Sequence, residues 1–304
     1  MMDLHRRFDA ALRDTVEEWK KREEVKGIFT YGSVVRGTAT ASSDLDICMV
    51  WDGAEAPARL MAEHKGVVVD MDFVTPSDIN DVLDGKAETA FQIAGVISRL
   101  REARVQYDTD SMLRDWLERA SEYTWPSDIV EKTKEDAKEA LQCAEKYLEK
   151  DDPASATHEL RKGLFELGRV VVMKSQIFSI IKPSEVLSEV RMLDPMMYQL
   201  FLRTFKLKGF EEENLLEILS DVNGWLIIAG DRFEQADNVS LDESVFAHLT
   251  QAQRYYYGSK ALTLNGDYEL AVLEMRRSIS MIGLALLALD GKPLQKDESL
   301  ISRL

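Results

Sequence analysis

Asp44 and Asp46 flank a single leucine in "SSDLDICMVW". The apolar run after them predicts a strand over 45–51. Side chains alternate along a strand, so both carboxylates project from one face. Two carboxylates that close repel, and both stay ionised only beside a compensating cation. Hard divalent ions meet that need: Mg²⁺ takes one or two carboxylates and keeps its other positions for water and phosphate oxygens. A second pair with the same spacing, Asp70 and Asp72, lies in "GVVVDMDFV" (66–74), also a predicted strand. If the two strands pair, either Asp70 or Asp72 can complete a two-metal site. In such a site one ion activates the attacking oxygen and the other stabilises the leaving oxygen.

Upstream, "KGIFTY" reads as a strand that runs into Gly32-Ser33, with a helical turn starting at the serine. A helix N-terminus offers free backbone N–H groups and a positive dipole end, which suits phosphate. Glycine lets the backbone approach the anion closely, and the Ser33 hydroxyl adds a hydrogen bond. Arg36, one turn on, can give charge-assisted bonds to a phosphate. Gly37 then releases the chain into the loop 38–43. An anion cradle beside a pair of cation-binding carboxylates points to a triphosphate with its metal.

The order of these features resembles the signature of the DNA polymerase beta-like nucleotidyltransferase superfamily: apolar strand, Gly-Ser, spacer, Asp-x-Asp, and an aspartate on a later strand. "GSVVRGTATASSDLD" is most similar to the minimal and kanamycin-nucleotidyltransferase types. In those, Gly-Ser is followed by Arg-Gly and, after a small-residue loop, by Ser-Asp-x-Asp. "DMDFVTP" is similar to their third-carboxylate strand, and that match selects Asp72 over Asp70. "VQYD" (105–108) is similar to the edge strand that closes the domain.

The resemblance covers about residues 25–110 and implies a small mixed sheet with helices on one face. It also implies transfer of a nucleoside monophosphate from a nucleoside triphosphate, ATP in the first instance, to a hydroxyl of a small molecule or protein, releasing pyrophosphate. By this likeness Gly32, Ser33, Arg36 and Ser43 bind the nucleotide. Asp44 and Asp46 bind both metals, and Asp72 binds the catalytic one and helps deprotonate the acceptor. Two Mg²⁺ ions are implied, with Mn²⁺ as a substitute. The rival reading is a nucleotide-binding regulatory or antitoxin-like module without turnover; the intact Asp44, Asp46 and Asp72 favour catalysis.

These residues need a scaffold. Leu4, Phe8, Leu12, Val16 and Trp19 recur at helical spacing and predict a helix over 3–24. After the strands at 26–31 and 45–51, "EAPARLMAEH" (55–64) reads as a helix. The strand 66–74 ends at Thr75-Pro76, a helix follows over 77–101, and 103–108 is an edge strand. Beyond "SEYTWPSD" (121–128) strand signals vanish, and helices are expected over 129–150, 154–178, 211–236, 243–265 and 267–290. The fold class is therefore α+β. With the resemblance, a mixed-sheet nucleotidyltransferase domain is expected over 1–120, a linker over 121–128 and an all-α helical bundle over 129–304. Within the bundle, residues 152–168 resemble 267–283. Asp152, Ala156, Glu159, Arg161 and Gly168 recur as Asp267, Ala271, Glu274, Arg276 and Gly283, an internal repeat of two copies.

The charge balance narrows the partners. A net charge of −16 over 304 residues argues against extended nucleic-acid binding, which needs a basic surface. The two cysteines, Cys48 and Cys143, have no paired spacing, which fits a reducing compartment. The first residues lack the apolar core of a signal peptide. The longest apolar run, "MIGLALLAL" (281–289), is too short for a membrane span of about 20 residues. A soluble cytoplasmic protein is expected, and a homodimer is compatible with the sequence. Tyr255, Tyr256 and Tyr257 are expected to split between core and surface as their helix turns.

Overall fold

The computed structural model describes residues 2–40, 43–53, 56–57, 59–236 and 243–291. The chain forms two compact units, Met1–Ile129 and Val130–Leu304.

The first unit is built on five strands: β1 (Val25–Thr30), β2 (Leu45–Trp51), β3 (Leu60–His64), β4 (Val67–Val74) and β5 (Arg104–Asp108). Their order in the sheet is β3-β4-β2-β1-β5. Strands β2 and β4 run parallel, and every other pairing is antiparallel, so the sheet is mixed. Strand β2 is the middle one. Its alternate residues Leu45, Ile47 and Met49 meet Phe8, Ala11 and Trp19 of helix α1 (Met2–Trp19) on one face. Trp19 and Trp51 close this core against Phe73, with ring centroids 5.3 and 6.0 Å apart.

The opposite face carries Asp46, Cys48, Asp70 and Asp72. Phe29, Cys48 and Val74 line one small cavity with Ile79 of α3 (Pro76–Leu83) and with Val96, Arg99 and Leu100 of α4 (Ala90–Glu102). Helix α5 (Met112–Glu122) packs so closely that a Cβ on Gly27 would lie 2.9 Å from Leu113 Cδ1. Helices therefore cover both faces of the sheet, not one. The physical reason is the composition of β2, buried along almost its whole length, which leaves no solvated face.

Two local expectations are corrected. Residues 60–64 form the edge strand β3, not a helix. Lys65 and Gly66, at φ 54° and 70°, make the tight two-residue connection that pairs β3 antiparallel to β4. Residues 55 and 58 of the expected helix lie outside the described residues. The stretch 77–101 is two helices, because Gly85 at φ 74° ends the first and Thr89 begins the second. Thr75 and Thr89 each form a reciprocal capping box, with Asp78 and Gln92 respectively.

Among its described residues the second unit has helices alone: α7 (Pro153–Lys174), α8 (Pro183–Leu193), α9 (Pro195–Thr204), α10 (Glu212–Gln235), α11 (Glu243–Leu264) and α12 (Tyr268–Leu289), preceded by α6 (Ser127–Glu149). Helices α8 and α9 arise where no periodic pattern was legible. Each opens on a proline at its first position, where the missing N–H costs nothing. Close approaches hold the bundle. Cβ atoms on Gly163 and Gly168 would lie 2.9 Å from Ala137 O and from the Phe201 ring. Ser259 and Ser278, both fully buried, donate to Ala271 O and Ala252 O at 2.8 Å across the α11–α12 pair. Tyr255 and Tyr256 are buried and Tyr257 is exposed.

The two similar segments occupy the first halves of α7 and α12. Arg161 donates to Thr204 O at 3.2 Å, while Arg276 donates to Phe205 O and, at 3.4 Å, to Lys206 O. Two arginines at matching places in the two segments thus serve the last carbonyls of one helix, α9.

Candidate active site

The parallel register of β2 and β4 sets Asp46 opposite Asp70 and Cys48 opposite Asp72. Asp44 immediately precedes β2. Asp44, Asp46 and Asp70 each offer a carboxylate oxygen, and these lie within 4.8 Å of one another. Asp70 is 2% exposed, at the base of the group. All three are hard oxygen donors, the set that suits Mg²⁺ or Mn²⁺.

Asp72 is not in that group. It lies two residues further along the same face, and there its Oδ2 is 2.6 Å from Nη2 of Arg99 on α4. The family resemblance selects Asp72, whereas strand register sets Asp70 beside Asp46. The cause is the period of two: both candidates point the same way, so only the stagger of β4 against β2 separates them.

Gly32 and Ser33 follow β1, whose pairing with β2 brings them to the carboxylates; Tyr31 N–H donates to Asp46 O at 3.3 Å. Gly32 begins a short helix, α2 (Gly32–Arg36), with φ +78°. A Cβ there would lie 2.1 Å from Asp46 Oδ2, so only glycine permits this approach. The Ser33 Oγ is buried and has no hydrogen-bond partner among the described residues. A buried hydroxyl without a partner is unusual in a native fold, and a bound polar ligand is one way to satisfy it.

Arg36 and Ser43 are turned elsewhere. Arg36 ends α2 and forms an ion pair with Glu102, the last residue of α4. Ser43 Oγ accepts a hydrogen bond from Thr40 N–H at 2.9 Å and so braces the loop before Asp44. Residues 41 and 42 of that loop lie outside the described residues.

Two arginines absent from the sequence argument hold the acidic face. Arg59, just before β3, grips Asp70 with a fork: Nε donates to Oδ1 at 2.7 Å and Nη2 to Oδ2. Burial opposes the Arg59 charge, but the hydrogen bonds and charge of Asp70 outweigh it, and its pKa is raised. Arg99 is likewise partly desolvated, yet the groups around it, Tyr31, Asp72 and Cys48, raise its pKa. Arg99 also stands 5.6 Å from the Tyr31 ring centroid. Burial raises the Tyr31 phenol and pushes the Cys48 thiol up to about 12, so both stay protonated at neutral pH. Cys48 is thus no nucleophile. No spacing signal announces Arg59 or Arg99: one falls in a segment whose pattern reads as a helix, the other beside the apolar stripe of a helix.

One comparison with known proteins bears on the type of domain. Residues 12–147 match the nucleotidyltransferase domain family. No curated protein matches the chain. Among solved structures, a nucleotidyltransferase-like protein from Exiguobacterium sibiricum is similar at 11% identity and a TM-score of 0.43, over 93% of this chain and 77% of that one. No helix among the described residues is long and apolar enough to cross a membrane. Over residues 12–147, somewhat under half of its length, this chain is similar to the nucleotidyltransferase domain family.

Proposed function

We propose that the first unit transfers a nucleoside monophosphate, AMP being the first to test, from a nucleoside triphosphate to a hydroxyl of a small molecule or protein, releasing pyrophosphate. The observation that carries this reading is the convergence of Asp44, Asp46 and Asp70 within 4.8 Å, backed by Gly32 at the start of α2. Asp44 and Asp46 would hold both of two Mg²⁺ ions, and Asp70, in place of Asp72, would be the third carboxylate. When bound, such ions neutralise phosphate charge and activate the attacking oxygen.

The residues of the chain do the rest. The Ser33 hydroxyl would donate to a polyphosphate oxygen, a partner that none of the described residues gives it. Gly32 lets the backbone at the start of α2 sit directly against Asp46. Asp70 would accept the acceptor's proton once its oxygens are released from Arg59, because a carboxylate held in a guanidinium fork is a weak base. Asp72 and Arg99 brace the adjoining part of the same face.

The test is incubation of the protein with ATP labelled on the α-phosphate and Mg²⁺, with and without cell extract. Label on a protein band or a small molecule, with pyrophosphate release, is expected. Loss of both in the Asp44→Asn, Asp46→Asn double variant assigns them to this site. Full transfer by that variant refutes the assignment.

A further inference from the structure

We propose that Arg59 is an internal counter-ion of the acidic site, which a divalent cation displaces from Asp70 and which then engages the polyphosphate of the nucleotide. The inference deepens the proposed function and rests on its metal site.

Three carboxylates within 4.8 Å carry three negative charges on a partly buried face. Without a cation, mutual repulsion and desolvation disfavour that state. Arg59 answers both costs at Asp70, the most buried of the three, by bonding both of its oxygens. A cation bound by the same three carboxylates needs an Asp70 oxygen. It would also place its charge a few ångströms from the guanidinium, where like charges repel strongly in a low-dielectric setting. Arg59 and the metal therefore compete.

Arg59 is built to leave. Its side chain is 34% exposed while Asp70 is 3% exposed, so the carboxylate is fixed and the guanidinium has a path to solvent. The strongest anion then within reach is the polyphosphate, whose planar oxygens match a guanidinium fork. Arg36, the residue expected to do this from sequence, pairs with Glu102 in this structure. The exchange is a swap of ionic partners, with no covalent step.

The experiment compares full-length parent protein with Arg59→Gln and Arg59→Lys. Mn²⁺ binding without nucleotide is followed by electron paramagnetic resonance, and ATP binding in the presence of Ca²⁺ by calorimetry. Arg59→Gln is expected to bind Mn²⁺ on the order of tenfold more tightly and ATP on the order of tenfold more weakly, the scale of a charge-assisted bond. Arg59→Lys keeps the charge but loses the fork, and should lie between the two on both measures. It also carries the test if the glutamine variant fails to fold. Opposite shifts for the two ligands distinguish counter-ion exchange from a structural role, which moves both the same way. Unchanged or weaker Mn²⁺ binding in the variants, or unchanged ATP binding, overturns the proposal alone. Absence of Mn²⁺ binding in the parent and both variants overturns the metal site itself and this inference with it.

Discussion

Gly32 backs directly onto Asp46: a Cβ at position 32 would lie 2.1 Å from the Asp46 Oδ2. The φ of +78° adds a second objection to any side chain there. Gly32→Ala must therefore move either α2 or a carboxylate of the proposed metal site. A stability loss of about 1–3 kcal/mol is expected for the strained backbone. Transfer should fall by about a hundredfold or more, the scale of a misplacement near 1 Å. Urea unfolding and the labelled-ATP assay on one preparation check both. Full activity in Gly32→Ala would show that Asp46 need not hold its position.

Asp70 and Asp72 make a matched pair for separating chemistry from architecture. Asp70→Asn should abolish Mn²⁺ binding and transfer, because a lost metal ligand forfeits several kcal/mol of charge stabilisation. Asp72→Asn should keep Mn²⁺ affinity and instead lower stability by about 1–3 kcal/mol, since it leaves Arg99 partly buried without its 2.6 Å partner. Titration with Mn²⁺ and thermal unfolding of the two variants decide between them. The reverse pattern would restore the choice that the family phrase "DFVTP" suggests.

The contrast between these two aspartates shows how far the sequence was legible. Alternation along a strand identifies the face on which Asp44, Asp46, Asp70 and Asp72 lie, because the period belongs to each strand alone. Which of Asp70 and Asp72 meets Asp46 depends on the stagger between β2 and β4, a property of two strands and of the β3–β4 hairpin that intervenes. The hairpin itself was missed: β3 is exposed along almost its whole length and carries no alternation, and only Lys65-Gly66 marks it. Arg59 and Arg99 were illegible for a related reason. A long cationic side chain looks the same in sequence whether it faces water or a buried carboxylate. Helices with a strong apolar stripe, such as α1 with Phe8, Ala11 and Trp19, were plain. Helices α8 and α9, short and proline-led, were not.

In the helical unit, Arg161 and Arg276 share one task. Their guanidinium groups satisfy the carbonyls of Thr204, Phe205 and Lys206, where α9 ends and its last carbonyls lack partners within the helix. Arg161→Ala and Arg276→Ala should each destabilise this unit by about 1 kcal/mol, a modest figure because both side chains are partly solvated. The double variant should cost more than the sum of the two, since either arginine alone still draws the helix end into place. A double-mutant cycle by urea unfolding measures the coupling. Simple additivity would show that the two arginines act independently.

Glu274 supplies a pH-dependent test. It is 2% exposed on α12, and its Oε1 accepts a hydrogen bond from Ser184 N–H at 3.0 Å, at the start of α8. Burial raises its pKa above the ordinary 4.5, and the opposing bond from Ser184 and charge of Lys182 do not offset this. Below about pH 4.5 the carboxyl is protonated in both folded and unfolded chains, and it places no pH-dependent load on the fold. As the pH rises past that point the unfolded chain releases its proton while the folded one retains it. The folded state then binds more protons, so stability falls with rising pH until the native carboxyl also ionises. Glu274→Gln keeps an oxygen to accept from Ser184 and removes the proton equilibrium. The variant should match the parent near pH 4 and become the more stable of the two as the pH rises to 7. Urea unfolding of both proteins across that range reads the difference directly. A difference that stays constant with pH would mean that Glu274 ionises in the fold as readily as in the open chain, and that the Ser184 bond just offsets its burial.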